Sequence, residues 1–242
     1  MGEFFREFGR LAGPKVRKAK WLLQSLTGTE ADVLEAEYEM GRDLACEVRR
    51  QAGLDSDPRV RQLVEEIGPR LAARVTNKLR RFAFTVFGAA GPNAFALPGG
   101  FIFVTRPMLD LCERRPDEVA FILGHEMAHV MRGHALDRIL GSSALAAATR
   151  AVPGRGLLVA WLRQVGVKFL ESAHSREREL EADTLGVRLI DAAGYDPAAA
   201  ARLLSRLAGY VRASGQHDSG GYFASHPPFA DRIQNAARVP RV

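Results

Sequence analysis

The stretch that most constrains this chain is Gly124-His125-Glu126-Met127-Ala128-His129, because apolar residues surround it: Val119 to Leu123 before, and Met127, Ala128 and Val130 within and after. Pro116 suits the first turn of a helix, and Asp117 and Glu118 stand where the helix dipole favours acids. Such a helix belongs inside a protein, where two imidazoles and a carboxylate are costly unless they find polar partners. Histidines four apart are offset by only about 40° around a helix and about 6 Å along it. Both can therefore reach one Zn²⁺ at roughly 2.0–2.1 Å. Glu126 then points to the flank of the metal, where it can take a proton from a water held there. The pattern alone also fits an ordinary helical surface, so the fold has to supply a third ligand.

The source of that ligand separates one class of zinc peptidase from another. A metzincin places a glycine three residues after the second histidine and a histidine three further on. Here those places hold Arg132 and Ala135, with His134 one residue off, so that branch is excluded. His134 reads as a group behind the ligands or on the surface. Further along, Ser175 is a good N-cap for a helix running to about Ala193 and stopped by Gly194. Within it Glu179 and Asp183 share a face, so one carboxylate can bind a metal while the other orients a ligating imidazole. Taken alone, the segment reads better as a solvated face in which Glu177, Glu179 and Glu181 are balanced by Arg176 and Arg178.

The rest of the chain reads as scaffold. Val33, Ala36, Met40, Leu44 and Val48 recur at helical steps until Gly53, and Asp57-Pro58 opens a second stripe of Val60, Leu63, Val64, Ile67 and Leu71. Phe82 to Phe87 is the clearest strand, followed by extended pieces at Ala94–Leu97 and Phe101–Val104 on either side of Pro98-Gly99-Gly100. These predict a small antiparallel sheet, with the Pro-Gly-Gly step a bulge or tight bend where another backbone approaches. Ile139 to Thr149 and Gly156 to Leu162 are apolar, but Arg138, Arg150, Arg155 and Arg163 interrupt them before about 18 uncharged residues accumulate. They read as two packed helices about a Pro153-Gly154 turn.

Composition bounds the remainder. The 47% hydrophobic and 26% charged content is that of a soluble globular chain, here one sizeable domain with a short appendage. A net charge of +6 without an aromatic-interleaved basic stripe gives no reason to expect nucleic acid as a partner. Cys46 and Cys112 are too few for a disulfide framework or a cysteine zinc site, and each reads as a small core residue. Residues 1–29 form a separate extension: Phe4, Phe5, Phe8 and Leu11 at helical spacing, then Lys15, Arg17, Lys18 and Lys20. Charges after the apolar residues are the wrong order for a secretory signal. Position 6 is Arg6, which argues against myristoylation. An amphipathic helix touching a membrane and a loosely ordered arm both fit. The expected location is cytoplasmic or membrane-peripheral, or periplasmic if the natural chain starts further upstream.

Taken together, the motifs make the chain resemble the HtpX-like, CaaX-prenyl-protease-like and Oma-type zinc metallopeptidases, a gluzincin group. The resemblance rests on four ordered blocks: Asn93-Ala94-Phe95-Ala96-Leu97-Pro98-Gly99-Gly100, the His125 to His129 motif, Ser175 to Asp183, and Ser225-His226-Pro227-Pro228 with Arg232-Ile233. It implies that Glu179 is the third zinc ligand and that Asp183 supports a ligating histidine. It also implies that His226 and Arg232 face the substrate or the oxyanion, and that Asn93, Ala94, Phe95, Ala96 and Leu97 are the strand beside the active site. A polypeptide substrate would then pair with that strand in extended form.

The expected architecture is a mostly helical α+β domain of the zincin type over residues 30–242, holding one zinc through His125, His129 and Glu179. The expected activity is endopeptidase cleavage, with misfolded or membrane-associated proteins as the substrates the resemblance implies. A second reading is a zinc-stabilised, chaperone-like binding module, latent or inactive, in which His226 closes the fourth coordination position. Glu126 argues against a purely structural site, which gains nothing from a base.

Overall fold

The computed structural model describes residues 29–140, 174–214, 226 and 229–241. The extension up to residue 28, the apolar pair beyond Leu140, and Ser225, Pro227 and Pro228 lie outside these residues. Helix α1 (Glu30–Ala52) starts at a capping box: Thr29 Oγ1 accepts from Asp32 N–H, and Thr29 N–H donates to Asp32 Oδ2 at 3.0 Å. Such a cap is worth about 1 kcal/mol. Helix α2 (Pro58–Ala72) follows the Asp57 cap and buries Val60, Val64, Ile67 and Leu71.

The sheet comprises β1 (Ala83–Phe87), β2 (Ala94–Leu97) and β3 (Phe101–Thr105) in the order β1-β3-β2. The expected all-antiparallel arrangement needs correction. β2 and β3 are antiparallel, Phe95 opposite Phe103, but β1 runs parallel to β3, Thr85 opposite Phe103. The last strand in sequence is the central one, so the β1–β2 link carries the chain across its end and β2 returns on the far side. Pro98–Gly100 closes the hairpin as a 3₁₀ turn, with Gly99 and Gly100 at φ 73° and 89°. A Cβ on Gly99 would lie 2.5 Å from Tyr38 Cα, and one on Gly100 would lie 1.9 Å from the Arg81 carbonyl. The expected close backbone approach is that of α1 and the segment before β1.

Strand alternation sorts the core into two layers. Phe87, Phe95, Leu97, Phe101 and Phe103 face α1, where they meet Leu44, Ala45 and Val48. Val86, Ala94, Ala96, Ile102 and Val104 face the other way, onto the larger core with α2 and the motif helix. Cys46 falls off the buried face of α1 and is exposed, contrary to expectation, whereas Cys112 is wholly buried and burial pushes its thiol pKa up.

A short helix α3 (Arg106–Leu111), capped by Thr105, leads through Glu113 and Arg114, both at positive φ, into α4 (Pro116–Met131). Every residue of α4 from Glu118 to Val130 is buried. Its acidic first turn also joins the neighbouring helices: Glu118 pairs with Arg206, and Asp117 Oδ1 accepts from Asp196 N–H at 3.0 Å. Helices α5 (His134–Leu140), α6 (Arg176–Ala192), α7 (Ala199–Ser214) and α8 (Phe229–Arg238) complete the described residues. α6 packs along α4 through facing glycines. A Cβ on Gly186 would stand 3.1 Å from His125 N, and one on Gly124 would stand 3.4 Å from the Gly186 carbonyl. Among the described residues no helix is long and apolar enough to cross a membrane.

Candidate metal centre

The close α4–α6 contact brings the two sequence motifs together. His125 and His129 project from α4 and Glu179 from the first turn of α6, all three buried. Nε2 of His125 and Nε2 of His129 are 3.1 Å apart. Glu179 Oε1 lies 3.3 Å from His129 Nε2, and Oε2 lies 3.6 Å from His125 Nε2. Four ligands about 2.0–2.1 Å from a tetrahedral zinc stand about 3.3 Å from one another, so the spacing is that of a coordination shell. Glu179 Oε1 is buried and has no hydrogen-bond donor among the described residues. A divalent cation would satisfy that oxygen and both lone pairs, so the residues present fit a metal.

His226 arrives from far along the chain. Its Nδ1 is 3.3 Å from His125 Nε2 and 2.8 Å from Glu179 Oε2, which makes it a fourth donor in the same group. Its Nε2 is 3.6 Å from Oε1 of Glu126, a buried carboxylate oxygen with no hydrogen bond among the described residues.

Asp183, one turn after Glu179, lies 2.9 Å from His125 Nδ1, close but without the alignment of a full hydrogen bond. Arg232, from α8, is completely buried and donates through Nε and Nη2 to both oxygens of Asp183, each at 2.8 Å. Its Nη1 donates to the His226 carbonyl at 3.0 Å and lies 3.1 Å from Glu179 Oε2. This differs from a group facing substrate. Arg232 holds the metal-side carboxylates and the His226 backbone in place, and its guanidinium is turned inward.

The charges settle accordingly. Burial opposes ionisation of Asp183, but Arg232 and His125 outweigh it and lower its pKa to about 2. For Glu179 burial is again overcome, by His226, Arg232 and His129, and the carboxyl is held well below its usual range. Burial pushes His129 well below the usual imidazole value. Burial would lower His125 as well, yet Asp183 and Glu179 prevail and its pKa is raised. Near neutrality Glu179 and Asp183 are ionised and His129 is unprotonated, the forms that ligate metals, whereas the raised pKa of His125 favours its protonated form.

The remaining expected site residues are placed as follows. Asn93 N–H donates to Thr105 Oγ1 at 2.9 Å, and Ala94, Phe95, Ala96 and Leu97 form β2, an edge of the sheet packed against α4. All five are buried, so that edge is covered in this state. Glu177 and Glu181 are exposed, which singles out Glu179 from its acidic neighbours. Sequence reading did not anticipate His174, whose ring stacks on His129 with centroids 4.1 Å apart and planes 21° apart. Nor did it anticipate Gly124 and Gly186; their only sequence signal is one glycine within each helical motif.

Comparison with known proteins agrees with the geometry. A family profile described as peptidase family M48 matches residues 58–239. The chain is 37% identical over 150 residues to the mitochondrial metalloendopeptidase OMA1 of Schizosaccharomyces pombe, covering 59% of this chain and 42% of that one. It is 32% identical over 157 residues to the metalloprotease LoiP of Escherichia coli, covering 63% and 60%. To the beta-barrel assembly-enhancing protease of Escherichia coli it is 24% identical over 214 residues, covering 83% and 43%. The chain thus spans about half the length of the curated relatives it matches.

Proposed function

Because the chain belongs to peptidase family M48, we propose that it is a zinc-dependent endopeptidase whose metal is held by His125, His129 and Glu179. The observation that carries this is the buried donor group with coordination-shell spacing beside a carboxylate oxygen, Glu126 Oε1, that makes no hydrogen bond among the described residues. Zinc held by these residues would supply Lewis acidity towards a peptide carbonyl and would lower the pKa of a water. Glu126 is the base: its Oε1, with no hydrogen bond among the described residues, accepts the proton of the attacking water and returns it to the leaving amine. Asp183 orients His125, and Arg232 holds Asp183 and Glu179 in place.

For His226 the geometry supports the role of a resting-state donor over that of an oxyanion group. Its Nδ1 stands among the ligand atoms, and a site closed by four protein donors is the pattern of inert zinc. The enzyme is then latent until His226 withdraws, and its substrate strand pairs with β2 once that edge is uncovered. We further propose misfolded or membrane-associated proteins as substrates and a cytoplasmic or membrane-peripheral location; one relative is named for enhancing beta-barrel assembly.

Glu126→Gln tests the chemistry. Zinc should remain at one per chain while hydrolysis of an unfolded protein falls at least about 10²-fold. Unchanged turnover would remove Glu126 as the base. Zinc binding with no hydrolysis by the wild-type chain under any activating condition would favour the binding-module reading.

A further inference from the structure

The two histidines of α4 are backed by chemically different partners. Behind His125 is the Asp183 carboxylate. Behind His129 is another imidazole: Nδ1 of His129 and Nδ1 of His134 are 3.1 Å apart. His134 opens α5 just after Gly133, whose φ of 73° turns the chain back towards α4, and it is 5% exposed. Its other nitrogen, Nε2, lies 3.3 Å from Glu181 Oε2. Glu181 Oε1 is in turn 2.9 Å from Arg132 Nε, so the chain of contacts ends at the surface.

The direction of the hydrogen bond between His129 and His134 is forced. A histidine that gives Nε2 to a metal carries its ring proton on Nδ1. Two imidazole nitrogens in contact need one donor and one acceptor. His134 must therefore offer a bare Nδ1, which leaves its own proton on Nε2, facing Glu181. Arg132 is ion-paired with the same carboxylate from the other side. The order is His129 to His134 to Glu181, with Arg132 fixing the end.

We propose that His134 is a positioning residue that holds His129 in its metal-binding tautomer and ring orientation, anchored by Glu181 and Arg132. It touches no reacting atom; it acts through His129. The inference rests on the zinc reading above, and it assigns a role to the histidine that the metzincin spacing leaves over. His174, stacked on the face of His129, restrains the ring plane but offers no control of the tautomer at that stacked face.

The test uses the full chain and zinc alone, with affinity read by competition against a chromogenic chelator. His134→Phe keeps the ring and removes the acceptor, and it should weaken zinc binding about 10- to 100-fold. His134→Asn places an amide oxygen near the lost Nδ1 and should recover most of that affinity. Metal-free melting temperatures of the three proteins should stay together, separating a tautomer effect from a folding defect. Nitrogen-15 NMR of the zinc-loaded wild-type chain gives a reading without any substitution: the proton should sit on Nδ1 of His129 and on Nε2 of His134. Wild-type zinc affinity in His134→Phe, no recovery in His134→Asn, or a proton on Nδ1 of His134 would each overturn the proposal. If His134→Phe does not fold, the wild-type tautomers decide. A wild-type chain that binds no zinc would overturn the metal reading as well, whereas normal zinc binding insensitive to His134 overturns this inference alone.

Discussion

Two buried interfaces meet in this molecule and different physics holds each. Between α1 and the sheet lie Leu44, Ala45, Val48, Phe87, Phe95, Phe101 and Phe103, with Phe95 and Phe103 stacked at 5.2 Å. That layer is stabilised by removal of apolar surface from water and by packing. Between α4, α6 and α8 lie His125, His129, Glu179, Asp183, His226 and Arg232, all at or near zero exposure. Burying such charges costs several kcal/mol each before pairing returns it, and among the described residues Glu179 Oε1 and Glu126 Oε1 have no hydrogen bond. One interface is closed by apolar packing; the other gathers donor atoms that could hold a cation. Stability and metal binding should therefore be separable by where the chain is altered.

The largest effect on stability should come from the apolar layer. Phe103→Ala is expected to cost about 3–5 kcal/mol, measured by denaturant unfolding, with one zinc still bound per folded chain. Loss of zinc at that position would mean that the two interfaces are one unit. Chelation probes the other side. At a zinc concentration 100-fold above Kd the metal stabilises by about 2.7 kcal/mol, so its removal should lower the melting temperature. Hydrogen exchange should then rise in α6 and α8 and stay unchanged in α1 and β3. Uniform loss of protection would contradict the division.

Gly186→Leu is expected to be intermediate, because its Cβ would meet His125 N at 3.1 Å. Overpacking of this kind costs about 1–3 kcal/mol, and forcing α4 from α6 should weaken zinc binding more than it lowers stability. The smallest effect is expected for His226→Ala. If His226 is a resting donor, basal hydrolysis should rise, about tenfold for an open state populated to about a tenth. A fall in hydrolysis at full zinc content would return His226 to the oxyanion role.

What sequence made legible follows the same division. The helix with His125, Glu126 and His129, the cap at Ser175 and the stop at Gly194 are local signals, and the structure carries each of them. Glu179 could not be separated from Glu177 and Glu181 by spacing, because only contact with α4 decides which acid is buried. The parallel β1–β3 pairing and the outward Cys46 depend on how distant elements close on one another, to which alternation and periodicity are blind. Arg232 was visible as a residue of interest, but not that its guanidinium turns inward to Asp183. The glycines at 124 and 186 set the helix separation, and a lone glycine inside a helix has no partner written beside it.

The central claim is that Glu179 completes the metal site begun by His125 and His129. It is tested most directly by metal analysis of Glu179→Ala, purified alongside the wild-type chain and dialysed against zinc-free buffer. One zinc per wild-type chain and well under a tenth in the variant are expected, since the substitution removes a ligand and leaves Arg232 with one carboxylate fewer to balance it. Stoichiometric zinc in folded Glu179→Ala would contradict it and would move the third ligand to His226 or to another acid of α6.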